Sequence, residues 1–160
     1  KSSMMGSSSI SSPASPIRQG IMKRKFFETD IMKNYNIVVV DDNPLNLKVA
    51  ELFLKAFDYQ AKSALSGRQA IEFLLENNYD LNPIQLILMD LQMPEMDGFQ
   101  ATRRLRELME KKKIPEIPIV ALTANTSDND KKACLRAGMT DHLSKPLREE
   151  ELKRVLRKYK

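Results

Sequence analysis

From residue 36 onward the chain alternates between two kinds of segment. Short apolar runs occupy residues 37–40, 86–89 and 119–122, and two weaker ones fall at residues 60–64 and 141–144. Runs without polar alternation predict strands covered on both faces, as in a parallel sheet. Helical patterns lie between them. Val49, Leu52, Phe53 and Ala56 share the spacing of one helix face, as do Ala70, Ile71, Leu74 and Leu75. Phe99, Leu105, Leu108 and Met109 form a third stripe, Ala133, Cys134 and Ala137 a short fourth, and Leu152, Val155, Leu156 and Tyr159 a fifth. Ser66 and Asp97 stand where helix N-caps belong, Gly138 where a helix ends, and Pro118 where a strand begins. The strict (βα)₅ alternation predicts an α/β fold built on an open, doubly wound sheet of five parallel strands.

The polar residues gain meaning on that scaffold. Asp41 and Asp42 follow the first strand, Asp90 the third, Thr123 closes the fourth and Lys145 follows the fifth. All five therefore stand at carboxyl ends of strands, where open α/β sheets bind their ligands. With a strand order of 2-1-3-4-5, the three aspartates flank the point where the order reverses. Two carboxylates about 5 Å apart repel by roughly 3 kcal/mol at an effective dielectric near 20. Three of them either protonate in part or hold a divalent cation. Oxygen donors without nearby histidine or cysteine select a hard ion, and Mg²⁺ is the expected cofactor. A carboxylate can also be the nucleophile that forms an aspartyl phosphate, with a metal and a lysine neutralising charge and a hydroxyl bonding a phosphoryl oxygen. The constellation thus suits phosphoryl capture on a carboxylate. Read alone, Asp41, Asp42 and Asn43 before Pro44 are a turn and helix cap, and Thr123 a strand filler. Met89, Met93 and Met96 read as core and loop packing.

Composition narrows the alternatives. Half of the first sixteen residues are serine, with Pro13 and Pro16 among them, so residues 1–35 read as a disordered Ser-rich and basic linker. The net charge of +5 sits mostly there: six basic residues against two acidic ones give that stretch +4 and leave the rest nearly neutral. Lys23–Lys25 and residues 111–113 read as solvated surface, and no nucleic-acid partner is expected for this segment. No apolar run is long enough for a membrane span. The single Cys134 suits a reducing compartment and a small buried position on a helix, so a cytoplasmic location is expected, or the cytoplasmic face of a membrane.

Four motifs carry a resemblance. Val38-Val39-Val40-Asp41-Asp42-Asn43-Pro44, Met89-Asp90-Leu91-Gln92-Met93-Pro94-Glu95-Met96-Asp97-Gly98, Ala121-Leu122-Thr123-Ala124 and Ser144-Lys145-Pro146-Leu147 resemble, in order, the response-regulator receiver family. The resemblance covers residues 36–160 and implies a flavodoxin-like (βα)₅ domain. It implies Asp90 as phosphoacceptor and Asp41 and Asp42 as metal holders with Asp90. Gln92 would add its backbone carbonyl to the metal, and Thr123 and Lys145 would contact the phosphoryl group. Lys145-Pro146 would be a cis peptide, and His142 would stand at the aromatic switch position, acting with Thr123. The implied partner is a phosphohistidine donor, either a kinase or a histidine phosphotransfer protein.

Other classes fit less well. A flavin module would need a phosphate cradle where Asp41 and Asp42 stand, and a P-loop enzyme its Gly-Lys-Ser/Thr signature. A haloacid-dehalogenase-type phosphatase places nucleophile and acid two residues apart after one strand. A pure interaction module on this fold would lack some of the five site residues. The loop at residues 91–98, the Asn43-Pro44-Leu45-Asn46 start, the Ser-rich stretch and an opening on Lys1 lead to the expectation of a C-terminal receiver of a hybrid histidine kinase. A standalone response regulator acting through protein contacts is the alternative.

Overall fold

The computed structural model describes residues 36–159, and the linker expected over residues 1–35 lies outside the described residues. In chain order the elements are β1 (Asn36–Val40), α1 (Pro44–Ala56), β2 (Gln60–Ala64), α2 (Gly67–Glu76) and β3 (Ile84–Asp90). They continue with α3 (Gly98–Glu110), β4 (Ile119–Thr123), α4 (Asp128–Ala137), β5 (Asp141–Ser144) and α5 (Glu149–Lys158). All strand pairs are parallel, in the order β2-β1-β3-β4-β5. The doubly wound sheet predicted from the alternation is therefore the observed one.

Both faces of the sheet are covered, which is why the central strands carry unbroken apolar runs. On one face Ile37, Val39, Leu86, Leu88, Val120 and Leu122 pack against α1 and α5. On the other, Val38, Val40, Ile87, Met89, Ile119 and Ala121 meet α2, α3 and α4. Each such Leu or Ile contributes about 1.5–3 kcal/mol by leaving water. Cys134 is buried, as are Met89 and Met93.

The helix starts are written locally. Asn43 caps α1 by accepting the Leu45 N–H, with Pro44 in the first turn, where its missing N–H costs nothing. Ser66 caps α2, and Asp97 with Gln100 forms a reciprocal capping box on α3. Gly138 ends α4 at φ 105°, in the left-handed region that favours glycine.

Two of the expected stripes differ from the buried faces. The face of α1 that packs on the sheet is Leu47, Ala50 and Leu54, whereas Leu52 is 58% exposed and Ala56 is also exposed. Val49 and Phe53 are half-buried. Two apolar rows on one helix both have helical spacing, and periodicity alone cannot tell which one the sheet takes. Leu75 likewise lies outside the buried face of α2, which is Ala70, Ile71 and Leu74.

Candidate functional site

The strand order reverses between β1 and β3, and their carboxyl ends open into a cleft of about 740 Å³. Asp41, Asp42, Gln92, Thr123 and Lys145 line it together with Asp90. Asp41 and Asp90 are buried and Asp42 is exposed. One carboxylate oxygen from each lies within 4.8 Å of the other two.

Lys145 bridges the buried pair. Its ammonium donates to Asp90 Oδ1 at 2.8 Å and lies 3.1 Å from Asp41 Oδ2. Its backbone N–H donates to the Thr123 carbonyl at 2.8 Å, which fixes the β5–α5 turn against the end of β4. Asp41 Oδ1 accepts the Asn43 N–H at 2.9 Å, and Oδ2 accepts Asn46 Nδ2 at 3.1 Å. Asp90 Oδ1 also accepts the Gln92 N–H at 3.3 Å.

The charges do not balance. Three carboxylates face one ammonium, leaving two negative charges uncompensated. Burial pushes the Asp90 carboxyl above the usual range; the Lys145 hydrogen bond opposes this, and the charge of Asp41 adds to it. Burial works to lower Lys145, but its hydrogen bonds and charge contacts with Asp90 and Asp41 outweigh it and hold the ammonium above the ordinary lysine value. An all-oxygen carboxylate set with a surplus of two negative charges fits a hard divalent cation. No histidine or cysteine lines this cleft among the described residues.

The remaining expected residues also have defined places. Thr123 is buried at the end of β4; its hydroxyl donates to the Asn125 carbonyl at 2.8 Å and accepts the Asn125 N–H at 3.0 Å. His142 pairs with Ala121 across β4 and β5, and Thr123 pairs with Ser144, so His142 and Thr123 share one sheet face. The His142 ring is one-third exposed. Lys145-Pro146 is a cis peptide.

Two residues of the site carried no role in the sequence reading. Asn46 reaches back to Asp41, a contact that only the turn at Asn43 and Pro44 creates. Gly98 lies against the phosphoacceptor candidate's backbone: a Cβ there would sit 2.2 Å from the Asp90 carbonyl oxygen. The Asp97-Gly98 pair at a helix start was the available signal.

Fold and cleft together define an α/β domain with an acidic, lysine-bridged site at its switch point. The model of the response regulator receiver domain matches residues 37–157, and the chain belongs to that family. It is a receiver domain of the two-component, phosphorelay kind.

Hybrid signal transduction histidine kinase B of Dictyostelium discoideum is 43% identical over 125 residues, covering 72% of this chain and 6% of that protein. The histidine-protein kinase BarA of Escherichia coli K12 is 38% identical over 124 residues, covering 78% of this chain and 13% of that protein. The chain thus spans a small fraction of these relatives. Among solved structures, the receiver domain of sensor histidine kinase PA1611 of Pseudomonas aeruginosa superposes with a TM-score of 0.65 at 37% identity. The match covers 79% of this chain and 97% of that one, and that structure has a magnesium ion coordinated in its active site cleft. The Saccharomyces cerevisiae complex of Ypd1 with the receiver domain of Ssk1 matches with a TM-score of 0.70 at 28% identity, covering 79% of this chain and 89% of that one. No helix among the described residues is long and apolar enough to cross a membrane.

Proposed function

We propose that this domain accepts a phosphoryl group from a phosphohistidine onto Asp90, as the receiver of a hybrid histidine kinase. The observation that carries the reading is the buried Asp90 carboxylate, bridged by Lys145 to Asp41 at the floor of an open acidic cleft. The names of the relatives favour the hybrid context over a standalone regulator.

In the transfer, a carboxylate oxygen of Asp90 forms the new O–P bond as the N–P bond to the donor imidazole breaks, and the bonding pair stays with the imidazole. Asp41, Asp42, Asp90 and the backbone carbonyl of Gln92 are the groups that would hold Mg²⁺. When bound, the ion offsets negative charge on the cleft and the incoming phosphoryl oxygens. Lys145 keeps its positive charge beside Asp90 and pairs with a phosphoryl oxygen. Thr123 turns its hydroxyl from the Asn125 carbonyl to the phosphoryl group. Ala121 leaves room beside it for the His142 ring to follow, and this changes the surface around α4, β5 and α5. A histidine phosphotransfer protein, or the phosphorylated histidine of a kinase domain, is the donor.

Acetyl phosphate with Mg²⁺ tests the acceptor, with intact mass as the readout. Asp90→Ala should abolish a gain of one phosphoryl group, and modification equal to the parent sinks the assignment. Beryllofluoride tests the switch by backbone NMR: silence over residues 124–150 leaves the domain an acceptor without it.

A further inference from the structure

We propose that Asn46 is a positioning residue for Asp41, fixing which carboxylate oxygen faces the cleft and thereby setting the affinity for Mg²⁺. The inference rests on the reading of the cleft as a Mg²⁺-dependent phosphoacceptor site.

Asn46 is the third residue of α1, where a Gln or Glu side chain commonly folds back to cap its own helix. Here the cap is already supplied by Asn43, whose Oδ1 accepts the Leu45 N–H at 2.9 Å. The Asn46 amide instead leaves the helix and donates to Asp41 Oδ2 at 3.1 Å. As an exposed first-turn polar residue it needs no such partner, and asparagine is a poorer helix former than alanine. Helix formation therefore does not account for asparagine here; the contact with Asp41 does.

The hydrogen-bond inventory of Asp41 gives that contact its consequence. A carboxylate oxygen has two lone pairs. Oδ2 receives Asn46 Nδ2 and the Lys145 ammonium, so both of its lone pairs are used. Oδ1 receives the Asn43 N–H, which leaves one lone pair for a cation or its bound water. The terminal torsion of an aspartate is broad and nearly two-fold, so the carboxylate is oriented by its donors and not by its rotamer. Lys145 cannot do this alone, because it also serves Asp90 at 2.8 Å and is a rotating point donor. Removing the Asn46 amide frees one lone pair of Oδ2 and leaves only the Asn43 N–H and the shared Lys145 ammonium to hold the carboxylate, so it turns more readily and part of the binding energy of the ion goes to re-ordering it.

Groups that orient a metal-binding carboxylate typically change affinity by about 10- to 100-fold. Asn46 is one of three donors on Asp41, so Asn46→Ala should sit at the low end, weakening Mg²⁺ by roughly tenfold. Calorimetric Mg²⁺ titration of the 160-residue chain reads this directly. Acetyl-phosphate modification should show the same rise in half-saturating Mg²⁺, with the maximal rate at saturating Mg²⁺ within about twofold of the parent. In an Asp41→Ala background, adding Asn46→Ala should change Mg²⁺ affinity little further, as expected of two residues acting as one unit. The Asn46 side-chain amide resonances of the metal-free protein should move in Asp41→Ala. Unchanged Mg²⁺ affinity in Asn46→Ala, or an equal loss with and without Asp41, overturns the role of Asn46. A parent that neither binds Mg²⁺ nor takes a phosphoryl group overturns the underlying reading instead.

Discussion

Lys145→Ala removes the ammonium that lies 2.8 Å from Asp90 Oδ1 and 3.1 Å from Asp41 Oδ2. At an effective dielectric near 20, each contact is an attraction of about 5–6 kcal/mol before desolvation is counted. Withdrawing the ammonium from water costs several kcal/mol in return, so the pair itself is worth far less than that sum. Its removal still leaves two buried carboxylates facing each other without a cation between them. Breaking such a pair costs about 3–5 kcal/mol. The Lys145 side chain keeps 25% of its exposure, against 1% for Asp41, which lets water enter the vacated space and puts the loss at the low end of that range. A loss of about 3 kcal/mol corresponds to a fall in Tm of roughly 10 °C for a domain of this size.

Mg²⁺ should offset much of that loss. With Lys145 gone, the cluster of Asp41, Asp42 and Asp90 carries three uncompensated negative charges in place of two, so a divalent cation gains more there than in the parent. If the ion restores half of the lost stability, its affinity rises by about tenfold, since 1.4 kcal/mol is a factor of ten. Urea unfolding followed by circular dichroism, in metal-free buffer and at saturating Mg²⁺, measures both quantities. The variant should be far less stable than the parent without metal and closer to it with metal. An equal deficit in both buffers would refute the idea that Lys145 and the cation neutralise the same charge.

Two further outcomes follow from the packing around the site. Gly98→Ala would place a Cβ 2.2 Å from the Asp90 carbonyl oxygen and 2.8 Å from Leu91 Cα, so the peptide after β3 must move. Thermal unfolding should show a loss of roughly 1–3 kcal/mol, as for other overpacked sites, together with slower acetyl-phosphate modification; full activity and stability would contradict the contact. For Asp141, burial pushes its carboxyl up, but the His142 N–H, Arg154 and Lys158 outweigh it and hold the pKa below the ordinary value. A lowered folded pKa contributes stability present above the unfolded pKa and lost as pH falls through the folded one. Asp141→Asn should therefore reduce stability at neutral pH and flatten the acid limb below about pH 4, read by urea unfolding across pH.

Much of this fold is legible in the sequence because burial on both faces writes itself as apolar runs and because helix ends are set locally. Ser66 acts through one hydrogen bond, Asp97 through the reciprocal pair it makes with Gln100 and Gly138 through one backbone angle, and each stands where the residue type alone predicts. The facing of α1 was not legible. Leu47, Ala50 and Leu54 and the second row of half-buried Val49 with exposed Leu52 and Ala56 have equivalent helical spacing, and the choice between them is made by the sheet. A helix with apolar residues on more than one side carries two solutions in its sequence and realises one.

The site divides the same way. The five residues that line the cleft are legible because carboxylates, a hydroxyl and a lysine at strand ends stand out where an open parallel sheet binds its ligands, and one dimension suffices to count strand ends. Asn46 and Gly98 were not, because each acts on a neighbour whose position depends on the turn between them. Asn46 is five residues from Asp41, a separation that neither a strand nor a helix would bring into contact by its own period. Only the extended backbone of Asn43, at φ −96° and ψ 112°, followed at once by the Pro44 start of α1, swings the first helical turn back over the carboxylate. The same turn that reads as an ordinary helix cap is thus what delivers a side-chain donor to the acid cluster. The capping and ligand-holding readings of Asp41, Asn43 and Pro44 are two consequences of one geometry.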